Sequence, residues 1–274
     1  MSRLSWEPIL RRAADIVNGY DTGVTLRQLF YRLVSESVLP NTPSAYKALS
    51  ARTAQARRDR WFPALVDNTR QIEQAVSFQN PLDALTHTLN RYRLDRSDGQ
   101  RWNIYLGIEK HALAGLLWSW FADLGVRIVA LGGYSSQTLV DEVVTDVEAD
   151  GRPAVMIYAG DLDPSGEDIE RDFTERTGGA FDKVSRIALT TQQVNDFDLP
   201  PQMGKIADAR ASQFIAKHGA LIQVELDSLP PEVLKKLYRD AIDALWDKSI
   251  FDRVRNQEIQ DRASLERHLS TFGT

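Results

Sequence analysis

The sequence predicts an α/β protein in which a helical N-terminal part precedes a parallel sheet covered by helices. From Trp102 onward, short continuous apolar segments alternate with helical ones, as in a parallel sheet that is buried on both faces. Before that point the chain shows only helical periodicity and turns. We therefore expect two domains in the 274 residues, 1–98 and 99–274, divided after the polar turn near Ser97.

The first domain is predicted to contain three short helices, at residues 7–18, 25–37 and 44–60. Thr25 is the expected N-cap of the second helix, with Gln28 at the capping-box position. Three helices of which the last is basic indicate a helix-turn-helix or winged-helix module that binds DNA. The alternative is a solvated basic face beside an apolar core. The arginine cluster at the end of the third helix consists of Arg52, Arg57, Arg58 and Arg60.

The second domain is predicted to alternate strands and helices. The expected strands are 103–108, 127–131, 154–158, 184–189 and 221–224. The expected helices are 110–124, 135–150, 165–176, 206–217, 231–246 and 255–269.

Composition narrows the function classes. The chain is 43% hydrophobic and 26% charged, as in an ordinary globular protein. It has no cysteine, which excludes a disulfide scaffold, a cysteine nucleophile and a thiolate zinc site. No apolar run approaches the roughly 20 residues of a membrane span, and no apolar core of a signal peptide follows the N-terminus. We expect a cytoplasmic protein without a membrane partner, associated with the nucleoid or found in a phage-infected cell.

Charge is distributed unevenly along the chain. Residues 1–101 contain 15 Lys+Arg and 10 Asp+Glu, whereas the remainder contains 18 and 28. A basic first part beside an acidic second part favours a polyanion partner for the first and a different task for the second. Chance variation of surface charge is the alternative.

Three acids follow predicted strands, where functional groups of open α/β sheets gather. Glu109 follows the first strand, and Asp161 and Asp163 follow the third in the segment YAGDLDPSGEDIE. Carboxylates close together repel each other unless a cation holds them, and carboxylate oxygens are ligands that Mg²⁺ prefers. Each acid also has an ordinary structural alternative: a turn, a helix cap or a solvated strand end.

These residues resemble a known family. An apolar strand ending in Glu, followed by one ending in Asp-x-Asp-Pro-x-Gly, resembles the toprim domain of topoisomerases, primases and some nucleases. GIEKHALAGLL, ALGGYSSQTLVDEV, IALTTQQVNDFDLPP and LIQVELDSLPPEVL are similar to segments of the type IIB topoisomerase A subunit and the related meiotic double-strand-break proteins. The last segment makes Glu225 a candidate additional metal ligand.

The N-terminal half carries a second match. The segment TLRQLFY resembles that family's signature on a winged-helix (CAP-like) domain, whose last tyrosine attacks DNA. Tyr31 takes the nucleophile's position and Arg27 that of the family arginine. Phe30 replaces a tyrosine that is not the nucleophile, and Gln28 replaces an acidic residue. The length and the absence of an ATPase region are similar to those of the stand-alone topoisomerase mini-A branch.

The resemblance implies cleavage of double-stranded DNA by transesterification. Tyr31 would attack a backbone phosphate with help from Arg27, and Glu109, Asp161 and Asp163 would hold Mg²⁺. Glu109 would also return a proton during religation. The resemblance also implies a homodimer in which the tyrosine of one protomer serves the acids of its partner. It does not decide whether a separate ATPase subunit is required. Lys110 and the arginine cluster are candidate phosphate contacts.

Two other functions fit the sequence. A metal-dependent hydrolytic nuclease would use the same acids and only pack Tyr31. A catalytically idle DNA-binding homologue would keep the fold without the reaction.

Overall fold

The computed structural model describes residues 5–20, 23–67, 75–203 and 210–270. The first three helices pack around one apolar cluster. Their bounds are α1 Trp6–Asn18, α2 Leu26–Ser35 and α3 Pro43–Arg58. Helix α1 buries residues at helical spacing, among them Ile9, Ala13 and Ile16. All three helices agree with the sequence prediction to within one or two residues.

The capping box predicted for α2 is confirmed. The backbone N–H of Gln28 donates to Thr25 Oγ1 over 3.2 Å, and the Thr25 N–H donates to Gln28 Oε1 over 2.8 Å. Helix α3 begins at Pro43 with Thr42 as N-cap. No strand occurs before Asn103 in the described part of the chain, so a wing remains a prediction; residues 68–74 lie outside the described ranges.

Helix α4, Pro81–Arg91, falls in a segment to which the sequence analysis assigned no element. Asn80 caps it and Pro81 opens it, the favoured first helical position for proline. The chain that follows contacts the last helix, α11 Lys248–Ser270. The contacts are a hydrogen bond of 2.9 Å from Tyr92 to Asp261 and a buried ion pair of 2.6 Å between Arg96 and Glu258. The domain boundary after residue 98 stays a prediction.

The predicted parallel sheet is present. Its strands are β1 Asn103–Ile108, β2 Arg127–Ala130, β3 Ala154–Ala159 and β4 Lys183–Ala188, in the order β2-β1-β3-β4. All four pair in parallel. The connecting helices are α5 His111–Phe121, α6 Gln137–Asp150 and α7 Pro164–Arg176.

Strands β1 and β3 are buried along their whole length, which explains their continuous apolar sequence. Alternate residues serve two separate apolar clusters. Leu106 packs in the cluster that includes α5, whereas Tyr105 packs in the one that includes α6 and α7. Helices therefore cover both faces, as predicted.

The remaining elements follow the sheet. They are α8 Thr191–Asp196, β5 Gln202–Met203, α9 Ala211–His218, β6 Ile222–Gln223, α10 Pro231–Asp243 and α11 Lys248–Ser270. Strands β5 and β6 form a separate antiparallel pair. The helix predicted at 206–217 begins at Ala211 within the described residues, and 204–209 lie outside them. Helix α11 begins seven residues earlier than predicted.

An isolated antiparallel bridge joins Leu162 to Val224. It brings the segment after β6, including a 3₁₀ helix at Leu226–Ser228, against the loop that carries Asp161. Within the described residues, no helix is long and apolar enough to cross a bilayer.

Candidate functional site at the carboxyl edge of the sheet

Glu109 and Asp161 lie side by side, as their positions at neighbouring strand ends predict. Strands β1 and β3 are adjacent, with Ile108 opposite Ala159. The backbone N–H of Asp161 donates to Glu109 Oε2 over 2.8 Å. The two motifs, 52 residues apart in sequence, therefore form one structural unit.

Two glycines allow this close approach. A Cβ on Gly160 would lie 2.9 Å from Glu109 Oε2, and a Cβ on Gly166 would lie 3.0 Å from the same atom. The Gly166 Cβ would also lie 2.5 Å from the carbonyl oxygen of Asp161. The segment AGDLDPSGED thus leaves no room for side chains at these positions.

Asp163 caps α7. Its Oδ1 accepts a hydrogen bond of 2.6 Å from the backbone N–H of Gly166. The carboxylate lies near enough to Glu109 for its charge to raise the pKa of Glu109, which burial raises more strongly. Asp163 therefore has a structural task at the position where the sequence predicts a metal ligand, and the ligand role stays a prediction.

The cation that holds Asp161 in this structure is Lys110. Its Nζ lies 3.0 Å from Asp161 Oδ1 and 3.0 Å from Asp227 Oδ2, and it also contacts Glu225 Oε2. We call Asp161, Glu225 and Asp227 the Lys110 carboxylates. The sequence indicates a phosphate contact for Lys110, whereas in the structure its ammonium contacts carboxylates; the phosphate role stays a prediction.

Burial and charge shift the pKa values in this group. Burial raises the pKa of Asp161 to about 8, against the opposing effect of Lys110. Burial alone would lower the pKa of Lys110, but the three carboxylates outweigh it and raise that pKa above its usual value. Burial would raise the pKa of Glu225, yet Lys110 and Arg27 hold it below its usual range. The ammonium therefore stays charged.

Helix α2 reaches this group through Arg27. Arg27 Nη2 lies 3.3 Å from Glu225 Oε2, and its Nε lies 3.5 Å from Asp227 Oδ2. The exposed fractions of the three side chains fall from 51% for Arg27 to 24% for Glu225 and 1% for Asp227. Arg27 thus joins a solvated helix to a buried carboxylate.

Tyr31 lies one helical turn further along, half-buried beside both cations. The Arg27 guanidinium carbon is 5.6 Å from its ring centroid and Lys110 Nζ is 5.9 Å from it. Burial and the charge of Glu225 raise the pKa of Tyr31, and the two cations oppose this. The phenol is accordingly protonated at neutral pH and requires a base before it can act as a nucleophile.

A surface groove of about 440 Å³ opens beside Tyr31. Arg27, Tyr31, Tyr46 and Lys47 line it together with the start of α3. Two cationic side chains and two aromatic rings suit a phosphate backbone with adjacent bases. The groove was not predicted, because it requires α2 and α3 to be in their folded positions.

All four residues of the arginine cluster are exposed. The guanidinium of Arg52 lies 4.9 Å from the Trp6 ring, and Arg58 donates to Gln55. Their place on the surface is compatible with phosphate contacts, which stay a prediction.

Arg186 is a site residue that sequence analysis missed. It donates to the carbonyl oxygens of Gly160 and Asp161 and forms an ion pair of 2.6 Å with Glu170. Arg186 therefore fixes the backbone of the loop that carries Asp161. The sequence around it, VSRIAL, reads as an ordinary strand and gives no signal for this role.

Whether these residues fit Mg²⁺ depends on their donor chemistry. The oxygens of Glu109, Asp161 and Asp163 are hard ligands of the type Mg²⁺ prefers. No group of three or more acids or histidines is arranged as a metal site among the residues that the structure describes. The donor types fit the ion, and the coordination remains a proposal.

Neither a scan against models of known protein families nor a search of curated proteins returns a match to this chain.

Proposed function

We propose that this protein is a DNA-cleaving transesterase similar to the A subunit of type IIB topoisomerases. One observation carries the proposal. Two motifs that resemble separate parts of that family's active site, TLRQLFY and GDLDPSGED, meet in space around Arg27, Tyr31 and Lys110. They lie more than a hundred residues apart, so local sequence does not require them to meet.

The chemistry assigns a task to each residue. Tyr31 Oη attacks a backbone phosphorus, the new tyrosyl–phosphate bond forms on the 5′ side, and the bond to the 3′ oxygen breaks. The phenolic proton passes to Glu109, which returns it to the Tyr31 oxygen during religation, and the departing 3′ oxygen takes a proton from water. Burial raises the pKa of Glu109, so its carboxylate holds a proton more strongly than an exposed glutamate does.

Positive charge supports the attacked phosphate. Arg27 is half-exposed at the groove and is available to the extra negative charge of the transition state. Glu109, Asp161 and Asp163 would hold Mg²⁺, which when bound neutralises phosphate charge. The arginine cluster neutralises flanking phosphates without reading sequence.

The test is a plasmid cleavage assay. Supercoiled plasmid is incubated with protein and Mg²⁺, stopped in denaturant, and separated with and without protease. We expect protein-linked breaks that disappear in Tyr31→Phe and Asp161→Ala. Tyr92→Phe is the matched control, because the Tyr92 hydroxyl bonds Asp261 on α11.

Two results would replace the proposal. Breaks with free ends that persist in Tyr31→Phe would indicate the hydrolytic nuclease, for which a half-buried Tyr31 is only packed. DNA binding without any breaks would indicate the idle homologue.

A further inference from the structure

Helix α3 ends beside an exposed tryptophan. Trp61 is 49% exposed, whereas its neighbour Phe62 is 6% exposed and packs in the apolar cluster of the first three helices. The two rings contact edge to face, with their centroids 5.8 Å apart, so the buried ring supports the exposed one. Single exposed apolar side chains are common, so the surroundings of Trp61 decide what its surface is used for.

The surroundings of Trp61 carry uncompensated positive charge. None of the four guanidinium groups of the arginine cluster forms an ion pair with a carboxylate in the part of the chain that the structure describes. Arg57 and Arg58 instead donate to neutral groups, the Thr53 carbonyl oxygen over 3.3 Å and the Gln55 side chain over 2.7 Å. An aromatic ring beside exposed and unpaired arginines fits a polyanion that also offers flat rings, which is the chemistry of a nucleic acid.

The turn that presents Trp61 has a steric cost. Helix α3 ends in a Schellman turn, in which the Trp61 N–H donates to the Ala56 carbonyl oxygen over 3.2 Å. The Arg60 N–H donates to the Arg57 carbonyl oxygen over 3.1 Å. Such a turn needs one left-handed residue, usually glycine, and here Arg60 fills that position with a φ of 61°. A residue with a Cβ is strained there, and strain of this kind is concentrated at functional sites.

Helix α3 also connects this end to the groove beside Tyr31. Lys47, near the start of the helix, lines that groove. Arg58 follows eleven residues later, or about three full turns, so the two side chains share one side of the helix about 16 Å apart. A DNA strand that lies in the groove would therefore follow cationic side chains and reach Trp61 after about five nucleotides, at about 3.4 Å each.

We propose that Trp61 stacks on an unpaired base while the arginine cluster holds the flanking phosphates, so that this protein prefers DNA with an interrupted duplex to fully paired DNA. In a paired duplex each base is covered by its neighbours, so an aromatic side chain finds a free base face only where pairing is lost. The choice of DNA as the partner rests on the proposed function, whereas the placement of the ring and the charges does not.

Equilibrium binding tests this preference without requiring cleavage. Two labelled duplexes of equal length, one fully paired and one with a central loop of unpaired thymines, are titrated in EDTA and followed by fluorescence anisotropy. We expect the wild type to bind the looped duplex more tightly. Trp61→Leu should weaken that binding by about 5–150-fold, the effect of losing one stacked base, and should leave binding of the paired duplex unchanged.

Two further tryptophan variants serve as controls. Trp61→Phe should keep most of the affinity for the looped duplex, because a smaller aromatic ring still stacks on a base. Trp118→Leu is the matched control: Trp118 is 66% exposed on α5, a helix without arginine or lysine, and its loss should leave both affinities unchanged.

The strained turn provides a variant whose stability and binding should change in opposite directions. Arg60→Gly removes the steric cost of the left-handed position and should raise Tm by about 2 °C. It should also weaken the binding of both duplexes several-fold, because a phosphate contact is lost. Weaker binding by a more stable protein cannot come from misfolding. Unchanged binding would refute the part assigned to Arg60.

Equal affinity of the wild type for the two duplexes would overturn the inference, as would an equal loss in Trp61→Leu and Trp118→Leu. If Trp61→Leu changes the oligomeric state and not the DNA affinity, Trp61 belongs to a contact between copies and the inference is wrong. A wild type that prefers the looped duplex but never forms protein-linked breaks would refute the proposed function and leave this inference standing.

Discussion

Gly166→Ala is the substitution whose effect the geometry defines best. Gly166 lies in the first turn of α7, and an added Cβ would meet the Asp161 carbonyl oxygen at 2.5 Å and Glu109 Oε2 at 3.0 Å. Ordinary Cβ contacts begin near 3.4 Å, so the backbone oxygen or the helix must move by about 0.9 Å. No rotamer change can relieve a contact with backbone.

The magnitude follows from two opposing effects. Alanine favours a helix over glycine by about 1 kcal/mol. Forcing atoms into a packed site costs about 1–3 kcal/mol, and a backbone contact belongs at the upper end. We expect a net loss of about 2 kcal/mol, or about 4–8 °C in Tm for a chain of this size. Glu109 should also lose its hydrogen bond from the Asp161 N–H, and plasmid cleavage with it.

Urea denaturation and thermal melting followed by circular dichroism measure this loss. Gly19→Ala is the control, because its Cβ would meet only ordinary contacts of 3.4 and 3.5 Å in a right-handed helical conformation. We expect it to change stability by less than about 0.5 kcal/mol. A Gly166→Ala protein as stable as the wild type would contradict the close packing of the acid loop on Glu109.

Three further predictions concern charge. Burial raises the pKa of Asp161 to about 8 in the folded chain, above its value of ~4 in the unfolded chain. As pH rises, the unfolded chain therefore loses this proton first, and the stability of the wild type falls between these two pH values. In urea titrations, the free energy of unfolding of Asp161→Asn relative to wild type should therefore be more favourable at pH 8 than at pH 5. An equal difference between the two proteins at pH 5 and pH 8 would contradict this. Glu258→Gln should cost about 2 kcal/mol in the same assay, because the buried Arg96 loses its buried carboxylate partner and keeps only the exposed Asp123, whereas the exposed Glu266→Gln should not lower stability. Replacing the arginine cluster by glutamine should reduce the salt dependence of duplex binding, measured by fluorescence anisotropy, by about 0.9 in slope for each lost phosphate contact. Lys248→Gln, on an exposed turn of α11, should leave that slope unchanged.

The parallel sheet could be predicted from the sequence because its signal is local. Strands β1 and β3 are buried on both faces, so each is a continuous apolar run with sharp ends. The capping box of α2 is likewise contained in four residues. Once the strand ends are known, parallel topology alone places Glu109 beside Asp161.

The partners of the acids could not be predicted in this way. Lys110 contacts Glu225 and Asp227, which lie 115 and 117 residues later, and Arg27 reaches Glu225 across 198 residues. No local pattern records such pairs. Helix α4 was missed for a similar reason: it contributes one buried residue, Leu89, and packs mainly against α11 at the other end of the chain.

Two of the ion-pair groups with little exposure in the described part of the chain differ in the direction of a carboxyl pKa shift. Hydrogen bonds from Arg96 hold the pKa of Glu258 below its usual range, so this carboxylate stabilises the fold at neutral pH. Burial raises the pKa of Asp161, so its ionised form destabilises the fold over the same range.

The opposite directions of these two pKa shifts indicate different reasons for the presence of Glu258 and Asp161. The Arg96–Glu258 pair fastens the chain after α4 to α11, a task that stability alone explains. Asp161 contacts Lys110, which lies beside the Tyr31 ring, and its raised pKa gives no comparable benefit to folding. A chain keeps a destabilising buried acid where its charge is used, and violations of local folding rules concentrate at functional sites. A gain of stability in Asp161→Asn beside a loss in Glu258→Gln would support a functional origin for Asp161, and two losses of similar size would make both carboxyl groups structural.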